Sequence, residues 1–382
     1  GDGGTFEAGD GDGARQDAAD AAVEAGCDAA PALRASIATL AGPDPAAAAL
    51  EAVSAQSAAL FAAEERTRDE EVRHASETID FFAFEGEGLL SALEVEPAPA
   101  VLPDGRQVVA QIGEAVLDHE ETTLSLAHAF ENPVAFALAP TLNGGHPVVA
   151  EIVAAEGAEL TLRLREPEAY DGWHVTETTT WMVVEAGAWR MEDGARLEAG
   201  VTGGVDGVSD GFDRIDFSEG FDAAPVGLGL ILSLDEDVWA VSRLRGADAD
   251  GCEAAVQRQE AAGADAPTAE LGWLAMEAGT GEWDGIAWQA ASTEARFDDG
   301  GDRFEFAEGF ETAPLALAAL SSMNGGDPAA LRRTEIDAGG LGLVAMEETS
   351  ADGETGHVAE EVDVLAFAEA GLLYGSAWDL SA

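Results

Sequence analysis

The chain contains no lysine; all 18 of its basic residues are arginine. Against them stand 75 aspartates and glutamates, and the formal net charge is −57. Such a polyanion repels nucleic acid and anionic membrane, which excludes both as partners. Cysteine is almost as scarce. Cys27 stands where related segments carry phenylalanine and reads as a small apolar side chain, while Cys252 opens an apolar, strand-like run; no disulfide between them is expected. No run reaches the roughly 18 apolar residues of a transmembrane helix, so membrane insertion is not expected. The Gly-x-Ser-x-Gly elbow, the phosphate-binding loop and the metalloprotease helix motif are also missing, and no enzyme activity is expected. The acidity suits high salt, a calcium-rich exterior or a surface that must stay soluble when crowded.

Hydrophobic residues make up 47% of the chain, enough for real cores despite the charge. They are written in a repeating order. Cys27-Asp-Ala-Ala-Pro31, Phe130-Glu-Asn-Pro133, Phe221-Asp-Ala-Ala-Pro225 and Phe310-Glu-Thr-Ala-Pro314 align by eye. A second landmark follows three of these prolines: His74-Ala-Ser-Glu77, His174-Val-Thr-Glu177 and His357-Val-Ala-Glu360, each leading into an apolar run. The third copy has Ala266 in place of the histidine and keeps Trp273-Leu-Ala-Met276. A period of about 90 residues suits a small domain better than a solenoid unit.

Short alternating segments divided by Gly, Asp, Asn and Pro predict strands, Arg303–Phe306 and Leu341–Met346 among them. The expected fold class is all-β, as tandem antiparallel β-sandwich domains: four repeats at 13–105, 106–200, 201–290 and 291–382, with 1–12 as the end hairpin or strand of a preceding unit. The alanine-rich Pro45–Glu65 of the first repeat favours helix by propensity, but its alignment to the other copies predicts strand. Asp104-Gly105, Asp193-Gly194 and Asp284-Gly285 predict type I′ hairpins. The glycine pairs of Asn143-Gly-Gly-His-Pro147 and Asn324-Gly-Gly-Asp-Pro328 are expected to supply positive φ. Trp181 and Trp273 share one aligned position and are expected in the core.

The candidate ligand site is the His-x-x-Glu pair: His74 with Glu77, His174 with Glu177, and His357 with Glu360. The pair lies at a strand entry, where a loop can bring both groups together to hold a ligand hydroxyl. The same geometry can instead pin the loop through hydrogen bonds. One histidine and one glutamate per repeat are too few ligands for a metal. Trp173, beside His174 in a polar loop, has the chemistry to stack on a sugar ring. Calcium is the one candidate cofactor, at the acid-and-glycine loops of Asp10 and Asp12 and of Asp248 and Asp250, although neither completes an EF-hand loop. If the histidines serve the fold, a binding surface falls instead in the variable loops Glu166–Trp173, Glu260–Pro267 and Glu347–Gly356.

The runs Arg303-Phe-Glu-Phe-Ala-Glu-Gly-Phe310-Glu-Thr-Ala-Pro314 and Asp213-Arg-Ile-Asp-Phe217-Ser-Glu-Gly-Phe221-Asp-Ala-Ala-Pro225 resemble the opening of H-type lectin domains. The likeness covers about half of each repeat. It implies six-stranded antiparallel sandwiches that bind sugars, usually as trimers. Together with the repetition it leads to an extracellular, multivalent adhesion or carbohydrate-binding protein whose partners are glycans or other copies of itself. The alternative is a structural stalk or filament subunit in which the repeats are spacers.

Overall fold

The computed structural model describes residues 98–378 except 210 and 263–267, and before them 2–8, 19–22, 32–37, 46–54, 57–64 and 77–84. Contacts divide the chain into two compact units, Gly1–Val95 and Glu96–Ala382. The described residues form antiparallel sheets, with a single turn of 3-10 helix at Glu260–Ala262 and no helix long and apolar enough to cross a membrane.

The first unit contains β1 (Asp2–Ala8), β2 (Ala19–Ala22), β3 (Ala32–Ile37), β4 (Ala46–Val53), β5 (Ser57–Glu64) and β6 (Glu77–Phe84). They pair as two sheets, β1-β6-β3 and β2-β5-β4. The alanine-rich segments are therefore strands. Ala58, Leu60 and Ala62 are buried at every second position of β5, a period of two that a helix cannot present to one neighbour. Pairing with β4 overrides alanine's local preference.

The second unit runs through β7 (Gln107–Leu117), β8 (Thr122–Phe130), β9 (Pro133–Leu138), β10 (Val149–Arg165), β11 (Glu177–Glu185), β12 (Gly187–Met191), β13 (Arg196–Val205), β14 (Asp213–Asp216), β15 (Val226–Leu234), β16 (Ala240–Asp248), β17 (Gly251–Arg258), β18 (Ala269–Met276) and β19 (Gly279–Trp283). It continues through β20 (Ile286–Ser292), β21 (Asp302–Glu305), β22 (Leu315–Leu320), β23 (Ala329–Asp337), β24 (Gly340–Glu347), β25 (Val362–Phe367) and β26 (Gly371–Ala377). The trio β7-β11-β9 has the same antiparallel order as β13-β18-β15 and β20-β25-β22. Beside the latter two lie the second sheets β14-β17-β16 and β21-β24-β23. In the first set β8 pairs with β10, which doubles back at Gly157 (φ 58°). Arg163 Nε reaches Glu151 at 2.6 Å, whereas twelve residues of extended strand would separate them by roughly 40 Å.

The three sets touch one another cyclically. Arg165 of the first reaches Asp237 of the second at 2.6 Å, Gln257 of the second reaches the Gly326 carbonyl of the third at 2.7 Å, and Arg332 of the third reaches the His146 carbonyl of the first at 2.6 Å. Ala137, Gly229 and Ala318 on β9, β15 and β22 line one shared cavity. On the other side of the trios, β12 pairs with β13 and β19 with β20, each as a hairpin; β7 receives its equivalent neighbour from far along the chain, as β26.

Two glycine assignments differ from expectation. Only Asp284-Gly285 has positive φ at both turn residues (51° and 88°), so it alone is a type I′ turn; at Asp104-Gly105 and Asp193-Gly194 only the glycine is left-handed. None of Gly144, Gly145, Gly325 and Gly326 has positive φ. Gly144 and Gly325 are required for space: a Cβ would lie 2.7 Å from the His174 ring and 2.6 Å from the His357 ring.

Trp181 and Trp273 are buried as expected, each lying over a glycine on the adjacent strand, Gly113 and Gly200. The third set has Val364 opposite Ala291 in the same register, trading volume between partners.

Candidate functional site

Glu166 follows the last residue of β10, and the chain then loops to His174 and enters β11 at Glu177. The loop turns at Gly172 (φ 74°), where Asp171 accepts a hydrogen bond from the Trp173 amide. This return lets both ring nitrogens of a buried histidine reach carboxylates. His174 Nδ1 is 2.7 Å from Glu166 Oε1, and Nε2 is 3.0 Å from Glu177 Oε1. Glu177 also accepts from the Thr141 hydroxyl at 2.6 Å, the Asn143 amide at 2.9 Å and the Gly144 amide at 2.7 Å. The Asn-Gly-Gly turn is thus fastened to the strand entry by one carboxylate.

The same assembly is built around His357. Its Nδ1 lies 3.0 Å from Glu347 and its Nε2 3.3 Å from Glu360, which accepts from the Asn324 and Gly325 amides and from the Ser322 hydroxyl. Burial disfavours the charged forms of both glutamates, but hydrogen bonds from the histidines, hydroxyls and turn amides outweigh it, and each carboxyl is held down to about 2. Burial likewise works against the charged histidines; the flanking carboxylates outweigh it and hold both above their ordinary value.

A third charge enters Glu177 from another strand set. Arg332 on β23, fully buried, donates through Nη2 to Glu177 Oε1 at 2.7 Å, through Nη1 to the His146 carbonyl, and through Nε to the Thr141 carbonyl at 3.1 Å. Burial lowers its guanidinium to about 10, against the pull of Glu177. Arg243 on β16 stands at the equivalent junction beside Glu360; it donates to Gln257 at 2.6 Å, its Nη1 has no hydrogen-bond partner, and burial lowers it to about 10. At the remaining junction the position of Arg332, counted from the shared Asn-Gly-Gly-x-Pro turn, is Glu151, and the position of Glu177 is Ala269. Acid and arginine are lost together.

His146 of the first turn completes the cluster: its Nδ1 is 3.0 Å from Glu166 Oε1, and its ring stacks on Tyr170 at 4.2 Å. His146, Glu166 and His174 are the one group of three metal-capable side chains converging among the described residues, with ligand atoms within 4.8 Å of one another.

Trp173, the neighbour of His174, is 57% exposed, with its ring 5.8 Å from His119. Trp239, in contrast, is fully buried. Asp248 and Asp250 lie in and beside the β16–β17 turn. Asp248 accepts from Arg214 at 2.7 Å and from the Asp250 amide at 2.9 Å, so this acid carries an ion pair and shapes the turn. His74, Asp10, Asp12 and Ala266 lie outside the described residues, as does Cys27; Glu77 opens β6. Cys252 is a free, buried thiol that burial pushes up to about 12.

Sequence reasoning found the His-x-x-Glu pairs, placed Glu166 and Glu347 only at the starts of variable loops, and missed the parts of His146 and Arg332. A usable signal was present: Arg332-Arg333 interrupts an apolar strand in a chain with few bases, and Arg243 sits at the matching place in its own repeat.

No family model matches the chain, and comparison with curated proteins and with solved structures finds no match.

Proposed function

We propose that the chain is an extracellular, multivalent carbohydrate-binding adhesion protein of H-type-lectin-like modules, with Trp173 as one sugar contact. The observation that carries this reading is the contrast between the two members of the Trp173-His174 pair. The histidine is buried in a network that fixes the loop, while the indole beside it faces solvent next to His119. An aromatic face held on a braced loop loses little entropy on binding, and the apolar face of a sugar ring is a suitable ligand for it. Asp118, Glu120 and Asp171 in the two flanking loops supply acceptors for hydroxyls. Cyclic packing of three like strand sets in one chain agrees with the trimers that the resemblance implies, and repeated weak sites gain avidity. Calcium belongs to this proposal as a candidate aid to binding.

The test is a glycan array probed with the full chain, with and without calcium, beside Trp173→Ala. Binding to defined glycans that the variant loses supports the reading. An array without signal in either condition, or a variant that binds like the parent, overturns it.

A second reading, a stalk or filament subunit with the modules as spacers, is favoured by a different observation. Both described His-x-x-Glu pairs are buried and engaged in bracing, with Arg332 and Arg243 directed at them from neighbouring sets. Self-association of the chain without glycan binding would select this alternative.

A further inference from the structure

We propose that His146, Glu166 and His174 form a binding site for one divalent transition-metal ion of the zinc class. Three features beyond the presence of ligating residues lead there.

The first is convergence. Two imidazole nitrogens, His174 Nδ1 and His146 Nδ1, face the same carboxylate oxygen, Glu166 Oε1, at 2.7 and 3.0 Å. Zinc bonds of roughly 2.0–2.1 Å in tetrahedral geometry place ligands about 3.3 Å apart, roughly 0.3–0.6 Å more than the two N···O distances, and all three ligand atoms already lie within 4.8 Å of one another. Two imidazoles and one carboxylate suit zinc; calcium requires six to eight oxygens.

The second is an orphaned atom. Glu166 is buried, and its other oxygen, Oε2, has no hydrogen-bond partner. A buried carboxylate oxygen left without a donor is costly, and a cation held by the carboxylate, through Oε1 or through both oxygens, offsets that cost.

The third is the support behind the ligands. His174 presents Nδ1 to the site and is gripped through Nε2 by Glu177, which is itself held by Thr141, the turn amides and Arg332. A carboxylate on the far nitrogen of a ligating histidine orients the ring and raises its basicity. His146 is positioned by its stack on Tyr170, whose hydroxyl is 2.7 Å from that of Thr349. The ion would replace the proton between His174 and Glu166. The His146 side chain is half exposed, which leaves an open side for water.

The sister assembly sharpens the proposal. Around His357 the residue matching His146 is Asp327, so the second imidazole is missing there. Among the described residues one strong site follows.

The test is titration of the full chain with Co2+ in excess magnesium, which occupies the acidic surface, followed by displacement with Zn2+. One saturable equivalent with visible d–d bands is expected. His146→Ala, or His146→Asn should the alanine variant not fold, is expected to lose the bands and to bind at least about tenfold more weakly. The absence of a saturable equivalent in the parent, or parent-like binding by a folded His146 variant, overturns the proposal. No glycan takes part in this measurement, so its result is separate from that of the Trp173 test.

Discussion

Arg332 and Glu177, 155 residues apart in the chain, meet at 2.7 Å with both side chains completely buried. The pair ties the β23 strand set to the strand-entry loop of another set. A buried ion pair adds little net stability over a well-packed apolar pair, but removing one partner strands the other charge in a low dielectric. That asymmetry accounts for the third junction, where the chain carries neither the acid (Ala269) nor the arginine (Glu151).

Arg332→Ala should therefore cost about 3–5 kcal/mol in urea unfolding. The double variant Arg332→Leu with Glu177→Leu should recover a large part of that loss. A single variant within about 0.5 kcal/mol of the parent would show that the pair braces nothing.

Acid stability should depend on Glu360 in a defined direction. Its carboxyl is held at about 2 against a usual 4.5, so its contribution is full above pH 4.5 and is lost as pH falls toward 2. His357, raised above its usual 6.5, acts in the opposite sense: its contribution is full below 6.5 and fades as pH rises through the folded value. The stability gap between the parent and Glu360→Gln should be widest between these limits, about 3 kcal/mol, and should close near pH 2. A gap independent of pH would refute the assignment.

Gly113 lies beneath Trp181, and a Cβ there would meet the indole at 2.5 Å. Gly113→Ala should cost about 1–3 kcal/mol by overpacking. Adding Trp181→Val, which copies the Ala291 and Val364 pair, should restore part of it. Thermal melts of the three variants give the comparison; an unchanged midpoint for Gly113→Ala would contradict the steric account.

With a net charge of −57, self-repulsion is strong at low ionic strength and is screened by salt. The melting temperature should rise from low to molar sodium chloride. A melting temperature flat from low to molar salt would refute this account.

The all-β class was legible because its causes are local. Alternation in Arg303-Phe-Glu-Phe306 and the turn residues around Leu341–Met346 act over a few neighbours, and β21 and β24 lie where these signals put them. The recurring His-x-x-Glu marked the strand entry, where Glu177 and Glu360 stand in the structure. The Asn-Gly-Gly turn was misread because a glycine can serve φ or space, and sequence does not separate them; the His174 ring at Gly144 does.

What the sequence determined by itself is the strand and turn pattern, the repeated landmarks and the charge, since each depends on residues close together in the chain. Only the tertiary structure decided that Arg332 reaches Glu177 and that His146 and His174 share Glu166. Those contacts depend on how separate strand sets and loops pack against one another. Burial then sets their strength, because a charge removed from water must find its partner wherever the fold supplies one.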